Sequence, residues 1–290
     1  MATSLATLTA TSKARSRRVP LTWPRTLVAA VLSLGVVLPF AVMLSTSIKK
    51  DTFVLEMPPE LIPSEPTAEN YATAWNASNF ARYFGNSFYV AVLTTVIVLV
   101  LASLLAYAFA RFDFPGKRLA FAGVLSGLMI PGVVTIVPAY LLAQSLGVLD
   151  SLNGLVLFYA GGAVGFIAFL LRAFFERVPM ALDEAMRLDG ASALRRFVSL
   201  YLPLSRAPLA TAAIFTFLGA WDEFVWALTV INDPDKRTLP VAIAALQGQR
   251  GTEWGLVFAA SALALVPVVI LYVAAQRQFL AGATSGAVKD

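Results

Sequence analysis

The sequence predicts an all-α polytopic membrane protein with six transmembrane helices and a polar loop between the fourth and the fifth. Two observations support this fold class: a very apolar composition, and the gathering of the apolar residues into six long runs. Of the 290 residues, 58% are hydrophobic and 13% are charged, whereas roughly 25% of an ordinary soluble domain is charged. About 20 apolar residues in a helix span the hydrocarbon core of a bilayer. The runs are residues 26–48, 87–110, 119–146, 152–175, 207–231 and 255–280.

The chain lacks the residue types that several kinds of chemistry need. It has no Cys, and therefore neither a disulfide framework nor a thiolate metal site. It has no His, the commonest general base and metal ligand. The phosphate-loop pattern G-x-x-x-x-G-K-S/T is also absent. We therefore expect no catalytic residue, no metal site and no bound nucleotide, and we attribute the net charge of +5 to membrane topology rather than to nucleic-acid binding.

The first apolar run is predicted to remain in the mature protein as a membrane helix. It is too long for a simple signal peptide and lacks a small-residue cleavage site. Residues 1–25, rich in Ser, Thr, Ala and Arg, are predicted to form a basic cytoplasmic tail. Residues 26–290 then form the transmembrane domain.

The Lys and Arg residues predict which segments face the cytoplasm. With six spans both termini lie on one side, and 16 of the 22 Lys and Arg residues lie on that side. Cytoplasmic loops of membrane proteins carry an excess of these residues. The termini and the loop of residues 176–206 are therefore predicted to be cytoplasmic, and residues 49–86 and 232–254 to be external.

Each external segment contains a stretch that is predicted to form a short helix. Residues 49–86 begin with a Pro-rich acidic stretch, typical of an extended cap, and a short helix is expected near residues 69–75. Residues 232–254 contain the apolar stretch 239–246, which is too short to span a bilayer. We expect this stretch to lie as a helix at the outer mouth.

The cytoplasmic loop has the features of a short helix that ends at a glycine. Pro179 suits the first turn, where its missing N–H is unpaired in any case. Asp183 and Glu184 lie in the early turns, where a carboxylate complements the helix dipole. Gly190 fits the position just after the helix, which often has a left-handed backbone. The sequence therefore predicts a helix of about eleven residues.

A second, amphipathic helix is predicted over residues 192–201. Its apolar face is suited to lie against the membrane or the helix bundle. Pro203 then interrupts the chain before the fifth span, so the two short helices are predicted to form a compact knob hinged at Gly190. The side chains with the i, i+3, i+4, i+7 spacing of this face are Leu194, Phe197, Val198 and Tyr201.

Asp222 and Glu223 are the only acidic residues deep in a predicted span. A carboxylate at mid-bilayer costs several kcal/mol unless it faces a cavity or a partner, so an intramembrane acid is a functional candidate. The alternative is that this turn lies near the outer interface, where Trp is common and acids reach water. Pro131, in the third run, predicts a kink in that helix. The kink either shapes a central cavity or is that of an ordinary membrane-helix proline.

The loop pattern has the spacing of a known family. Glu184-Ala-x-x-x-x-Gly190, followed at fixed distance by Leu202-Pro203, resembles the cytoplasmic loop of ABC importer permeases. Further segments are similar to the carbohydrate-uptake branch, and within it to the smaller, six-span permease of maltose-type transporters. The family commonly has Asn where this chain has Asp222. The segments are Asn70-Tyr71, Asn86-Ser87, Ala106-Tyr107-Ala108, Met129-Ile130-Pro131, Arg172-Ala-Phe-Phe175, Asp189-Gly190-Ala191, Trp221-Asp-Glu-Phe224 and the tail from Gln276 to Lys289.

The resemblance assigns a coupling role to one group of residues, and the residues themselves predict a loop-shaping group and a candidate substrate path. In that family the loop forms a coupling helix that docks on the ATPase subunit, a role that carries over to Glu184, Ala185, Met186, Leu188, Asp189 and Gly190. The residues that shape the loop are Pro179, Leu202 and Pro203. The candidate substrate path, where aromatic rings stack on sugar rings and acids accept hydroxyl hydrogen bonds, is Trp221, Asp222, Glu223, Phe224 and Pro131.

The resemblance also implies a heteromeric importer for a neutral mono- or oligosaccharide in the bacterial plasma (inner) membrane. Its partners would be a second permease, two ATPase subunits that bind ATP and Mg, and an extracytoplasmic solute-binding protein or lipoprotein. This chain would be a transport subunit without an ATPase motif of its own.

The sequence leaves three other hypotheses for the function open. The same architecture also serves polyols or glycerol phosphate. A proton-coupled secondary transporter would use Asp222 or Glu223 as a relay, but such transporters often show an inverted repeat, and this reading leaves the Glu184–Pro203 pattern unexplained. An intramembrane enzyme would depend on the same two acids, whose side chains point in different directions on a helix.

Overall fold

The computed structural model describes residues 23–50, 61–77, 79–247 and 251–285. Over these ranges the chain is built from helices, with an isolated antiparallel bridge between Lys49 and Pro66. The predicted all-α fold class is therefore confirmed. Most of the predicted basic tail and residues 51–60 of the first external segment lie outside the described residues.

The chain divides into two units, residues 1–42 and 43–290. Helix α1, Trp23–Ser47, runs from the first unit into the second. Its residues 23–40 are exposed and mostly apolar, as a lipid-facing helix requires. Within the second unit its last turn is buried, and Ser47 Oγ lies 2.8 Å from the hydroxyl of Tyr71.

The second unit contains the remaining described helices. They are α2 Glu69–Ala77, α3 Phe80–Arg111, α4 Lys117–Leu128, α5 Ile136–Ser145, α6 Leu152–Phe175, α7 Met180–Leu188, α8 Ala193–Arg196, α9 Leu202–Leu204, α10 Arg206–Trp221, α11 Val225–Val230, α12 Leu239–Ala245 and α13 Trp254–Ser285. A π-helical turn, Phe197–Tyr201, joins α8 to α9, and 3₁₀ turns cover Gly132–Thr135 and Pro234–Lys236. The short helices expected near 69–75 and at 239–246 are both present.

The core of this unit forms where α3 packs against α6 and α10. Small side chains line the contact, and they let the helix backbones approach closely. This matters in a membrane, where helices associate through packing because lipid is as apolar as their side chains. The buried residues of this contact include Val98, Ala102, Ala106, Ala160, Ile167, Ala168, Leu171 and Ala212.

Four helices are long and apolar enough to cross a membrane, namely α1, α3, α6 and α13. Two bent pairs raise the number to as many as six among the described residues: α4 with the segment 132–145, bent by 92°, and the segment 193–204 with α10, bent by 82°. Length and composition thus agree with the six predicted apolar runs.

Two predicted spans are not continuous helices. The run 119–146 breaks at Met129–Pro131, because proline lacks an N–H and disfavours a helical backbone at Ile130 before it. The run 207–231 breaks at residues 222–224, between α10 and α11. The first break lies at Pro131, where the sequence predicted a kink, whereas the second was not predicted.

Candidate coupling loop and substrate path

Helix α7 begins directly after Pro179 and ends in a tight glycine turn. Its nine residues are fewer than the predicted eleven. Gly190 has a φ of +77°, and its N–H donates to the carbonyl of Arg187 at 3.0 Å. The N–H of Ala191 donates to the carbonyl of Met186 at 2.9 Å. This pair of bonds satisfies the last carbonyls of the helix and explains why a glycine stands here.

The outer face of α7 carries the side chains to which the resemblance assigns coupling. Glu184, Ala185, Asp189 and Gly190 are exposed, and Leu188 is 89% exposed. Met186 is half-buried. Leu188 thus places an exposed apolar side chain between the charged residues Arg187 and Asp189.

The inner face of α7 carries Asp183, which is only 3% exposed. Its Oδ1 accepts a hydrogen bond from the Tyr201 hydroxyl at 3.1 Å and lies 3.3 Å from Nε of Arg196. A buried carboxylate is tolerated only when it is paired and hydrogen-bonded. Asp183 therefore ties α7 to the segment that follows the glycine turn.

Sequence reasoning assigned Asp183 only to the helix dipole and missed this contact. The available signal was its position, since Asp183 shares a helix face with Met186, three residues later, rather than with the exposed Glu184. Its partners Arg196 and Tyr201 come from beyond a turn whose geometry the sequence does not specify.

Arg111, at the carboxyl end of α3, ties the loop to the bundle. Its Nη2 donates to the carbonyl of Phe175 at 2.5 Å and also to that of Val178. The Phe175 carbonyl is the last of α6, and the Val178 carbonyl lies three residues beyond it. The guanidinium carbon lies 5.1 Å from the ring centroid of Tyr201. The Arg111 guanidinium therefore connects the end of α3 to the end of α6 and to the loop.

The second helix of the loop differs from the predicted amphipathic helix. The π-helical turn shifts the phase, so that Phe197 and Tyr201 are buried while Leu194 and Val198 are exposed. The predicted apolar face is therefore divided between the core of the bundle, which contains Phe197 and Tyr201, and the exposed surface. The Tyr107 ring, on α3, lies 4.8 Å from that of Tyr201 and packs this turn against the bundle.

Residues Leu202 and Pro203 lie in α9, directly after the π-helical turn. The chain then bends by 82° before α10, and the residue at the bend, Ser205, is buried. The predicted interruption before the fifth span is thus present in the structure.

In the candidate substrate path, Glu223 caps a helix. Its Oε1 accepts from the backbone N–H of Trp226 at 2.7 Å, and its Oε2 from that of Ala227 at 3.1 Å. The Tyr159 hydroxyl donates to the same Oε2. A carboxylate at a helix N-terminus satisfies free N–H groups and complements the dipole. Glu223 thereby stabilises the break between α10 and α11.

Asp222 lies on a different side of this break. It is exposed and lines a pocket of about 450 Å³ together with Trp221 and Phe224. Glu223 lines a separate pocket of about 430 Å³, beside Gly132. The structure therefore does not bring the two acids into one pocket.

Trp221 is held in place by its surroundings. It is 2% exposed, and its Nε1 donates to the carbonyl of Ala264 at 3.3 Å. The Phe217 ring stacks on it at 5.7 Å between centroids, and the Phe84 ring meets it edge-on at 5.4 Å. The Trp221 ring that lines the pocket therefore has a fixed position. Pro131 lies at the bend of the third span, one residue before Gly132 of the other pocket.

A polar corner joins the α5–α6 turn to the segment after α11. Asp150 has a φ of +52°, and its Oδ1 accepts from the backbone N–H groups of Asn232 and Asp233, each at 3.0 Å. Lys236 Nζ lies 3.5 Å from its other oxygen. The bond from Asp233 is the largest of the effects that hold the pKa of the Asp150 carboxyl below its usual value.

The helices thus form a bundle of apolar elements with a polar loop between α6 and α10. Residues 87–282 match the family described as "Binding-protein-dependent transport system inner membrane component". The chain belongs to this family. It is accordingly a multi-pass membrane transport subunit and not an ATPase, as the sequence predicted.

Curated relatives match over most of the chain. The diacetylchitobiose uptake system permease protein NgcG of Streptomyces coelicolor is 36% identical over 88% of this chain and 84% of its own length. The trehalose transport system permease protein SugB of Mycobacterium tuberculosis is 35% identical over 87% of this chain and 92% of its own length.

Among solved structures, a chain of the bacterial ABC transporter involved in import of the acidic polysaccharide alginate has the same fold. The TM-score is 0.79 at 21% identity, covering 88% of this chain and 94% of that one.

Proposed function

We propose that this chain is the membrane subunit through which an ATP-driven importer translocates a neutral mono- or oligosaccharide. The observation that carries the proposal is its similarity, over most of its length, to permeases named for the uptake of diacetylchitobiose and trehalose. The class, a permease of an ABC sugar importer, is shown by these matches and by the family. That the transported sugar is neutral is our own proposal.

The chemistry of the Asp222 pocket supports a neutral substrate. None of the described residues that line it is Lys or Arg. A glycerol phosphate or another anion would be bound by such cations, and it would be repelled by Asp222. A neutral sugar finds hydrogen-bond acceptors there without that repulsion.

For the assembly we propose a second permease, two ATPase subunits that bind ATP and Mg, and an extracytoplasmic solute-binding protein. The family description, which names binding-protein-dependent transport, supports the last of these. A related alginate transporter has been solved with a periplasmic protein bound. We place both termini and residues 176–206 in the cytoplasm, because Lys and Arg are concentrated there.

In the proposed mechanism the ATPase subunits move α7, which transmits the movement to α3 and α6. Two sets of contacts connect these elements so that they move together. Asp183 contacts Tyr201 and Arg196, and Arg111 contacts the end of α6. Alternating access then follows from rigid-body movement of the bundle.

The test is to tag this chain, extract it gently from its native membrane, and identify by mass spectrometry what comes with it. We expect an ATPase, a second permease and a solute-binding protein, and uptake of a neutral sugar by cells that contain the complex. Reproducible recovery of the chain alone, active in transport without ATP, would instead indicate a secondary transporter.

A further inference from the structure

The pocket between α10, α12 and α13 contains polar groups that the fold does not use. Asp222 is exposed into it, and none of the described residues donates a hydrogen bond to the Asp222 carboxylate. Gln247 and Ser261 also line the pocket. The Ser261 hydroxyl donates to the carbonyl of Val257 at 2.8 Å, which leaves its oxygen free to accept.

An unpartnered carboxylate within a membrane segment is costly unless it faces water or a polar ligand. Glu223 shows the contrast, because its two oxygens are taken up by the N-terminus of α11 and the Tyr159 hydroxyl. The carboxylate of Asp222 therefore keeps free acceptor capacity towards its pocket, whereas the carboxylate of Glu223 is already engaged.

The remaining walls of the Asp222 pocket are apolar and include the fixed ring of Trp221 and the ring of Phe224. Small-molecule sites commonly combine such walls with a few placed polar groups. A sugar has both parts, since its hydroxyls bind to carboxylate, amide and hydroxyl groups while its C–H faces lie against apolar side chains. A divalent cation is a poor occupant, because Asp222 is the only carboxylate among the described lining residues.

The position of the pocket suits entry from the outer side. Ser261 lies seven residues after the start of α13 at Trp254, or about 10 Å along the helix axis at 1.5 Å per residue. Asp222 follows the last residue of α10, at the end of this helix that is opposite the loop of residues 176–206. A sugar released outside would reach these residues in the outer half of the bilayer.

We propose that this pocket is a carbohydrate subsite in which Asp222, Gln247 and Ser261 bind sugar hydroxyls during translocation. The inference rests on the proposed function and deepens it, because it assigns substrate contacts to this subunit and separates Asp222 from Glu223.

The first test uses the absence of Cys from the chain. In the complete complex, a Ser261→Cys variant carries the only thiol of this subunit and is labelled with N-ethylmaleimide. The matched control is Thr229→Cys, an exposed position on α11 outside the pocket. Labelling is measured with and without a panel of neutral sugars that includes trehalose and diacetylchitobiose.

We expect a transported sugar to slow labelling at position 261 at least threefold and to leave position 229 unchanged. Uptake of a sugar by the native complex without protection at position 261 would overturn the subsite and leave the proposed function intact. Failure of the native complex to take up any neutral sugar would overturn the proposed function and the subsite with it.

A second test compares two substitutions of Asp222 by KM for uptake. Asn keeps a carbonyl acceptor, so Asp222→Asn should remain within about threefold of the native KM. Leu removes both acceptors, so Asp222→Leu should raise KM about tenfold, the equivalent of one hydrogen bond of ~1.4 kcal/mol. An unchanged KM in the Leu variant, with normal amounts of complex in the membrane, would contradict the subsite.

Discussion

Asp183 and Tyr201 form the buried polar contact on which the position of α7 depends. Both are fully enclosed, and the hydroxyl-to-carboxylate bond of 3.1 Å joins two elements on either side of the Gly190 turn. Arg196 at 3.3 Å supplies the opposite charge. Removing one member of such a group leaves the others buried without a partner, which costs more than the bond itself contributes.

Tyr201→Phe tests this contact while keeping the aromatic packing. We expect a loss of about 1 kcal/mol in stability and fewer sugar molecules transported per ATP hydrolysed, measured in reconstituted complex. The matched control is Tyr89→Phe, which removes an exposed hydroxyl bond to Asn153 far along α3 from the loop. Equal coupling ratios in the two variants would show that the Asp183 contact only stabilises the fold.

Asp150 makes a pH-dependent contribution at the outer polar corner. Its pKa in the folded protein is lower than its usual value of 3.8, so its stabilising effect is complete above that value. The effect is lost as the pH falls through the lowered pKa. We expect acidification from pH 6 to pH 3 to lower the Tm of the native protein more than that of Asp150→Asn. Parallel curves would refute this assignment.

The elements themselves divide into those that composition specifies and those that three-dimensional contacts specify. The long helices α1, α3, α6 and α13 follow from apolar runs alone, and the end of α7 follows from Gly190. The break after Asp222 was not predictable, because it depends on Glu223 turning back to cap α11 with help from Tyr159, 64 residues away. The π-helical turn was missed because periodicity presumes 3.6 residues per turn.

For the candidate site, the sequence placed the coupling residues on one short helix and the structure exposes most of them. It indicated that the side chains of Asp222 and Glu223 point in different directions, but it did not predict the helix break that places them in two pockets. It also gave no role to Arg111, whose carbonyl partners at the end of α6 come from residues 64 and 67 positions later.

Gly190→Ala tests the element that closes α7. A Cβ there would have nothing within 4 Å, so the cost is that of the left-handed backbone alone, about 1–2 kcal/mol. We expect lower sugar-stimulated ATP hydrolysis by the complex, and a larger loss in Gly190→Pro, which also removes the N–H that binds Arg187. Gly85→Ala, in open space within α3, should leave sugar-stimulated ATP hydrolysis unchanged. Normal stimulation in both Gly190 variants would argue against a coupling role.

At the scale of the whole molecule, the mechanism that we propose assigns distinct tasks to three regions. In this proposal the exposed face of α7 receives movement from an ATPase, the Arg111 and Asp183 contacts pass it to α3 and α6, and the break after α10 forms the sugar-facing pocket near the outer side. This division explains why a chain without His, Cys or a phosphate-binding loop retains an ordered polar loop among membrane helices.

The most direct measurement uses Leu188→Cys, an 89% exposed position on α7 in a chain without other thiols. The variant is labelled with a photo-activated cross-linker in the native membrane, and the cross-linked peptide is identified by mass spectrometry. We predict a peptide from an ATPase subunit, with the yield changed by ATP. Cross-links confined to lipid or to the chain itself, in a complex that still transports sugar, would contradict the coupling role of α7.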